Sequence, residues 1–332
     1  MRLHQRLTIG AGALILLSAI PAGVAGAATG AATHQYRVID LGTLGGGYGE
    51  AYSVNESGHV TGQSSDPQGA LRPFLWRNGR MIDLGVLDPA VPYGVGADVN
   101  NHDWVVGTSD VNHGSAAHAF LWRDGKMTDL GTLGGGFSAA YAVNDRGQVV
   151  GESQTGSGQV HAFLWQDGQM TDLGLNNARD INNRGQVVGG TVFGSDFHAY
   201  RWRKGNLQDL GDLGNHVSQA ARVNLHGLVV GSANASGFSH GFLWRNGVMR
   251  DLGTLGGSFS DALAINDHGL VLGVSDLPTG ALHGFLWKGG VMTDLTTRGL
   301  PADARVTDLN NRGQIVGSFA PTPGSPHAAL FV

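Results

Sequence analysis

From about residue 36 onward, short apolar runs alternate with stretches of Gly, Asn and Asp, and the alternation itself repeats. HAFLWRDGKMTDLGTLGG, residues 118–135, shows the theme, and near-copies of it recur along the chain. Each unit holds four strand-like pieces. The first is rich in small residues and ends in an aliphatic residue and Asn, as in AYAVN at 140–144 and ALAIN at 262–266. The second resembles GQVVG (147–151, 185–189, and GLVLG at 269–273), the third is HAFLW and the fourth is KMTDLG. Trp76, Trp122, Trp165, Trp202, Trp244 and Trp287 mark the period, with Phe331 in the seventh place and gaps of 46, 43, 37, 42, 43 and 44 residues.

The turns have their own chemistry. Asn78-Gly79, Asp124-Gly125, Asp167-Gly168, Lys204-Gly205, Asn246-Gly247 and Gly289-Gly290 separate the third and fourth pieces. Such pairs favour the two-residue type I′ hairpin, which needs positive φ at both positions. NDRG, NNRG or NDHG separates the first and second pieces, where the leading Asn can bond the backbone two residues on. That Asn stands in every unit: Asn55, Asn100, Asn144, Asn182, Asn224, Asn266 and Asn310. Unit two carries Asp103 where other units carry Gly.

The two ends complete each other. YRVIDLG, 36–42, is a fourth piece lacking its first three, and HAALFV, 327–332, is a third piece lacking its fourth. An open solenoid gains nothing from this offset, whereas a ring uses it to leave no loose strand. The pattern therefore predicts an all-β, seven-bladed β-propeller of four-stranded antiparallel blades over residues 36–332, closed by the N-terminal strand pairing with the C-terminal blade. The Ala-rich first piece (Ala51, Ala140, Ala178, Ala220, Ala262) is expected innermost. A parallel β-helix ranks second, because its repeats are usually shorter.

Composition agrees. Of 332 residues, 41% are hydrophobic, which suffices for a core, and 14% are charged; the 55 Gly suit many tight turns. The net charge of −5, with no run of Lys or Arg, argues against nucleic acid and anionic membranes as partners. With no Cys, disulfides, lipid anchoring through Cys and Cys-metal sites are excluded. Arg2 and Arg6, an apolar stretch from Leu7 to Val24 and Ala25-Gly26-Ala27 read as an export signal over residues 1–27, with a short linker over 28–35. The mature chain is then expected to be secreted, or periplasmic if the host has an outer membrane, with no membrane insertion after cleavage, and monomeric.

Pairing the hairpin around Asp124-Gly125 sets Trp122 opposite Met127 and Phe120 opposite Asp129, with His118 diagonal to Asp129. The Asp recurs as Asp40, Asp83, Asp129, Asp172, Asp209, Asp251 and Asp294, and the His as His118, His161, His198, His240, His283 and His327, with Arg72 in unit one. Catalysis needs one site rather than six or seven around a ring, so these pairs read as strand fasteners. The Trp and Phe read as packing between blades. The LGG segments lack the Gly-Lys-Ser/Thr ending of a phosphate loop. His113 and His118 lack further ligands, and no metal or cofactor is expected.

HAFLWRDGKMTDLGTLGG and AVNDRGQVVGES closely resemble the extracellular HAF repeat, named for the residues seen here as His118-Ala119-Phe120. The likeness covers nearly all of residues 36–332. It departs in DLGLNNARDIN, which lacks the LGG insert, at Arg72-Pro73-Phe74 and at Ala329. It implies an exported bacterial repeat protein and brings no catalytic residues with it.

Function is expected where repeats differ, especially on loops. Tyr48, Tyr93, Phe137 and Phe259 occupy the LGG-type connections and suit platforms for sugar rings or peptide, or else cap their own blades. Asp98, Arg179, Asp180, Arg222 and Asp308 fall on the innermost pieces, placed to hold an ion or polar ligand at the channel mouth or to pair with one another. Asp66, Asp110, Glu152, Asp196 and Asp276 are loop acids, either paired for acid–base work or simply solvated. The leading expectation is a non-catalytic binding propeller for an extracellular glycan or protein. A polysaccharide lyase or hydrolase with its site at the axial mouth is the alternative, and a structural envelope or matrix component the second.

Overall fold

Strand and turn chemistry accounts for nearly all of the regular structure. The computed structural model describes residues 35–332; the expected export signal and all but the last residue of the linker lie outside them. Twenty-eight strands and two short 3-10 turns, Asn112–Gly114 and Leu295–Arg298, make up the regular elements of the described residues. They form five four-stranded sheets and one of eight strands, antiparallel except at one junction. The eight-stranded sheet is two four-stranded sets joined by a parallel pair, Phe137 beside Ala117. The separation expected of every unit therefore fails there, because Gly134–Val143 extends past the usual start of a first strand.

Within a set the strands lie in chain order, as in Gly49–Val54, Val60–Ser65, Leu71–Arg77 and Arg80–Asp83. The exception joins the chain ends: Val38–Gly42 pairs antiparallel with Ser325–Phe331, with Val38 opposite Phe331. The hairpin register is Trp122 opposite Met127 and Phe120 opposite Asp129. Its turn has φ of 53° at Asp124 and 81° at Gly125, both positive as type I′ requires. Asp103, at φ 61°, takes the left-handed position that Gly fills elsewhere.

The core lies between sets. Phe74, Phe120, Phe163, Tyr200, Phe242, Phe285 and Phe331 are fully buried. Burying each such ring is worth about 1.5–3 kcal/mol. Ala51, Val54, Val60 and Phe74 pack against Val316, Ala328 and Leu330 from the end of the chain. Ala140, Val143, Val149 and Phe163 pack against Val106, Ala119 and Leu121 in the same way.

One irregularity decides which side chains leave this core. In six of the first strands the register slips by one residue just before its end, as between Ala51 and Ser53 and between Ala220 and Arg222. The inserted residue flips the alternation, since a shift of one turns every later side chain to the opposite face. Ala51, Ser53 and Val54 are consequently buried, while Tyr52 is only half-buried. The Gly ending the GQVVG piece permits the bulge: a Cβ on Gly107 would overlap the Val95 carbonyl, and one on Gly231 the Gln219 carbonyl.

Candidate functional site

The repeated Asn builds the frame of the site. Asn224 Oδ1 accepts the His226 and Leu228 backbone N–H groups, both at 3.0 Å, and closes its own turn. Its Nδ2 donates to the Asn266 carbonyl at 3.0 Å. Asn266 donates to the Asn310 carbonyl, and Asn310 to that of Asn55 at 3.0 Å. From Asn55 the sequence runs through Asn100, Asn144 and Asn182 to Asn224. Every donor is buried. Only an amide of this length supplies both the acceptor and the donor; Asp lacks the N–H.

Around these turns lies a cavity of about 390 Å³. Two residues before the Asn, at the position the bulge re-aims in six repeats, the seven repeats carry Ser53, Asp98, Ala142, Asp180, Arg222, Ala264 and Asp308. Ser53, Asp98, Asp180, Arg222 and Asp308 all line the cavity. Asp98 spans two neighbours, accepting from Ser53 Oγ at 2.6 Å and from the Val143 N–H at 2.8 Å. Asp180 accepts from the Val223 N–H at 2.7 Å and Asp308 from the Val54 N–H at 3.1 Å. Arg222 makes no direct ion pair among the described residues; its Nη1 reaches only the Ala221 carbonyl, at 3.3 Å.

The electrostatics follow from depth. Burial pushes the Asp308 carboxyl up to about 6, with Arg222 and the Val54 N–H pulling the other way. Burial likewise raises Asp180, against the attraction of Arg222. Burial also works against the charge on Arg222, yet Asp180, Asp308 and Asp98 outweigh it and hold the guanidinium above its ordinary value. The side chains remain half-exposed because the cavity itself reaches them.

A second ring of groups, one residue after the Asn, was not singled out from sequence. Asn101 donates from its backbone and side chain to Asp145, whose N–H donates to Asn183 Oδ1. Asp267 likewise lies between the Leu225 N–H and the Asn311 side chain. Glu56 accepts from the Asn311 N–H. Its carboxyl sits above the ordinary value, chiefly through burial. The turn motif NDRG carried this signal, but its second residue reads as an ordinary turn polar group until the turns are placed beside one another.

The remaining expected residues disperse. Arg179 is absent from this lining; it stacks over Tyr141, 4.7 Å from the ring centroid. Tyr48 bonds Glu50 at 2.6 Å and lines a separate cavity with Asp303 and Arg305. Tyr93 is exposed, while Phe137 and Phe259 are half-buried. None of these four rings lines this cavity or stacks on another among the described residues. They start the first strands, whereas the cavity surrounds the turns at the opposite strand ends. Asp66 and Asp276 cap local backbone N–H groups, and Glu152 accepts from Tyr141.

The His–Asp positions form cross-strand bonds: His118 to Asp129, His161 to Asp172, His240 to Asp251 and His283 to Asp294 at 2.8 Å, and His327 to Asp40 at 2.9 Å. Arg72 takes the role with Asp83 at 3.0 Å. The Asp also holds the next turn, as Asp251 does by accepting the Gly253 N–H. His198 differs. Its Nδ1 lies 3.0 Å from Asp209, and its Nε2 lies 3.1 Å from Asp212 and 4.0 Å from Asp196. Burial opposes its charge, but Asp209, Asp212 and Asp196 together raise its pKa above the ordinary value. Among the described residues, no group of three or more His, Asp or Glu side chains is arranged to hold a metal ion.

Comparison with known proteins places the fold. Over 74% of this chain and 81% of its own, the β-propeller domain of the Trilobed protease from Pyrococcus furiosus superposes with a TM-score of 0.53 at 10% identity. The fold is that of a β-propeller. The acylaminoacyl peptidase of Pyrococcus horikoshii aligns over 82% of this propeller and 51% of its own chain, with a TM-score of 0.51 and 11% identity. TolB from Acinetobacter baumannii matches 68% of the chain at 13% identity and a TM-score of 0.46; the propeller spans 63% of that protein's length. No family model and no curated protein matches the sequence. No helix of the described residues is long and apolar enough to cross a membrane.

Proposed function

We propose that the chain is a secreted, seven-bladed propeller of the extracellular HAF-repeat kind, closed by its N-terminal strand, and that it binds a ligand without transforming it. Closure draws support from the pairing of Val38–Gly42 with Ser325–Phe331, the shared core at the same junction and the Asn hydrogen bonds that return from Asn310 to Asn55. The binding reading rests on one observation: four charged departures from the repeat, Asp98, Asp180, Arg222 and Asp308, meet in one cavity. Three carboxylates against one guanidinium, with Glu56, Asp145 and Asp267 at the rim, favour a positively charged guest. The ligand is a molecule presenting an ammonium group, carried by an extracellular glycan as an amino sugar or by a protein as a lysine side chain. The lining contains no aromatic platform, so the recognition is polar.

Calorimetric titration tests this with glucosamine, N-acetylglucosamine and lysine amide. Saturable binding of glucosamine or lysine amide, weakened by salt and lost in Asp180→Asn, is expected, with Arg222→Met binding the amine more tightly. Equal binding of the neutral N-acetyl sugar, or no amine binding at all, overturns the reading. Asp308, poised near 6, also suits a general acid and gives the hydrolase alternative its one support. Turnover of an amino-sugar polymer that disappears in Asp308→Asn would select it.

A further inference from the structure

Away from the axis, one groove between neighbouring repeats departs from the others. The residue just before the second strand is His59, Trp104, Gln148, Gln186, Leu228, Leu270 or Gln314 in successive units. Only the second unit puts an indole there. Trp104 leans over the turn of the next repeat, where a Cβ on Gly147 would sit 3.0 Å from its ring. Arg123 stacks on it, with its guanidinium carbon 5.1 Å from the ring centroid. Arg146 enters from the next turn, and its guanidinium has no hydrogen bond or ion pair among the described residues. Trp165 forms the far wall and is half-exposed, as Trp76 and Trp202 are, whereas Trp122, Trp244 and Trp287 are buried. Together with Leu121 and Asp167 these residues enclose about 310 Å³.

We propose that this groove is a second binding site, distinct from the axial cavity, and that it takes an acidic sugar residue, a hexuronate. A stacked guanidinium keeps its N–H edge free and held in one plane, which suits two-point bonding to a carboxylate. Arg146 supplies a second cation facing the same space. The indole of Trp165 offers a flat apolar surface with a polar edge, matching the apolar face of a pyranose ring between its hydroxyls. In a chain of net charge −5, two arginines without strong partners beside two half-exposed indoles set this groove apart. Arg123 reaches its nearest carboxylate, Asp124, only at 3.9 Å.

Binding of a short oligogalacturonate, followed by tryptophan fluorescence and calorimetry, tests the proposal. Substitutions that copy other repeats protect the fold: Trp104→Gln, Arg123→Gln and Arg146→Ser each install a residue found at the equivalent place elsewhere. Each is expected to weaken binding by about tenfold or more, as loss of a charge-assisted contact does, with the circular dichroism spectrum unchanged. The methyl-esterified oligomer is expected not to bind, and Asp180→Asn is expected to leave oligogalacturonate binding intact, which separates this site from the axial one. No binding, equal binding of the ester, stronger binding of a sulfated oligosaccharide, or undiminished binding by all three variants overturns the assignment.

Discussion

Two rows of side chains, two residues apart on the same strands, follow opposite rules. One row is Asn in every repeat; the other runs Ser53, Asp98, Ala142, Asp180, Arg222, Ala264, Asp308. The Asn row is buried and satisfied, each amide spending both ends on backbone groups. In the other row Ser53, Asp98, Asp180, Arg222 and Asp308 line the cavity, Ala142 and Ala264 stay in the core, and the guanidinium keeps open donors. Identity at the first row is required because each repeat must hand the same hydrogen bond to the next. Variation at the second is tolerated because its charged members border a solvent-reached cavity, where side chains of different length and charge fit. In this molecule repetition marks architecture, and its interruption marks chemistry.

The contrast can be broken most severely at the first row. Asn224→Ala strands the N–H groups of His226 and Leu228 and leaves the Asn266 carbonyl with the Gly269 N–H alone, and should cost about 2–4 kcal/mol. Asn224→Asp keeps the acceptor and should lose roughly half as much; urea denaturation measures both. If the two variants lose equal stability, the turn-closing acceptor contributes nothing; if Asn224→Asp loses none, the inter-repeat donor contributes nothing.

The second row gives a pH signature instead. Asp308 holds its proton to about 6 when folded, above its ordinary 3.8, so the folded state binds more protons than the unfolded one in between. Its contribution is complete below about 4 and is lost as pH rises to about 6, a decline of about 2 kcal/mol after allowing for cavity water. Asp308→Asn should flatten that part of the curve and raise stability at pH 7. Melting temperatures at successive pH values check it; an unchanged slope would mean the carboxyl titrates normally.

His198 sharpens the comparison among the otherwise uniform His–Asp pairs. Its pKa is raised by three carboxylates, so its stabilisation is full below its unfolded value and fades as pH rises through the folded one. Asp212→Asn should lower the midpoint of the His198 NMR titration, leaving the fold intact. The smallest effect belongs to an ordinary pair. His240→Ala breaks a bond between partly exposed partners and should cost under about 1 kcal/mol by thermal melting.

Much of the frame was legible. The Asn-Gly and Asp-Gly pairs specify their hairpins because positive φ at two consecutive positions admits few other residues. Trp122 opposite Met127 follows directly from the length of that turn. Asp98, Asp180, Arg222 and Asp308 stand out as charges on an otherwise small-residue strand. Less was legible about where they meet. Tyr48, Tyr93, Phe137 and Phe259 share a repeat position and still do not converge, since equal places on different sheets are set apart by whole strands. Glu56, Asp145 and Asp267 look like turn residues until adjacent turns are side by side.

The amino-acid order by itself determined the period, the turns, the strand faces and the complementary ends, because these depend on dihedral preference and on alternation over a few residues. Only the tertiary structure decided which groups share space. A one-residue bulge, tolerated because Gly lies opposite it, re-aims the row before the Asn, so that its polar members border the cavity while Ala142 and Ala264 stay in the core. Charge placed there has its proton affinity set by burial first and then by neighbours on distant repeats, such as Arg222 against Asp308, whose approach no local pattern encodes.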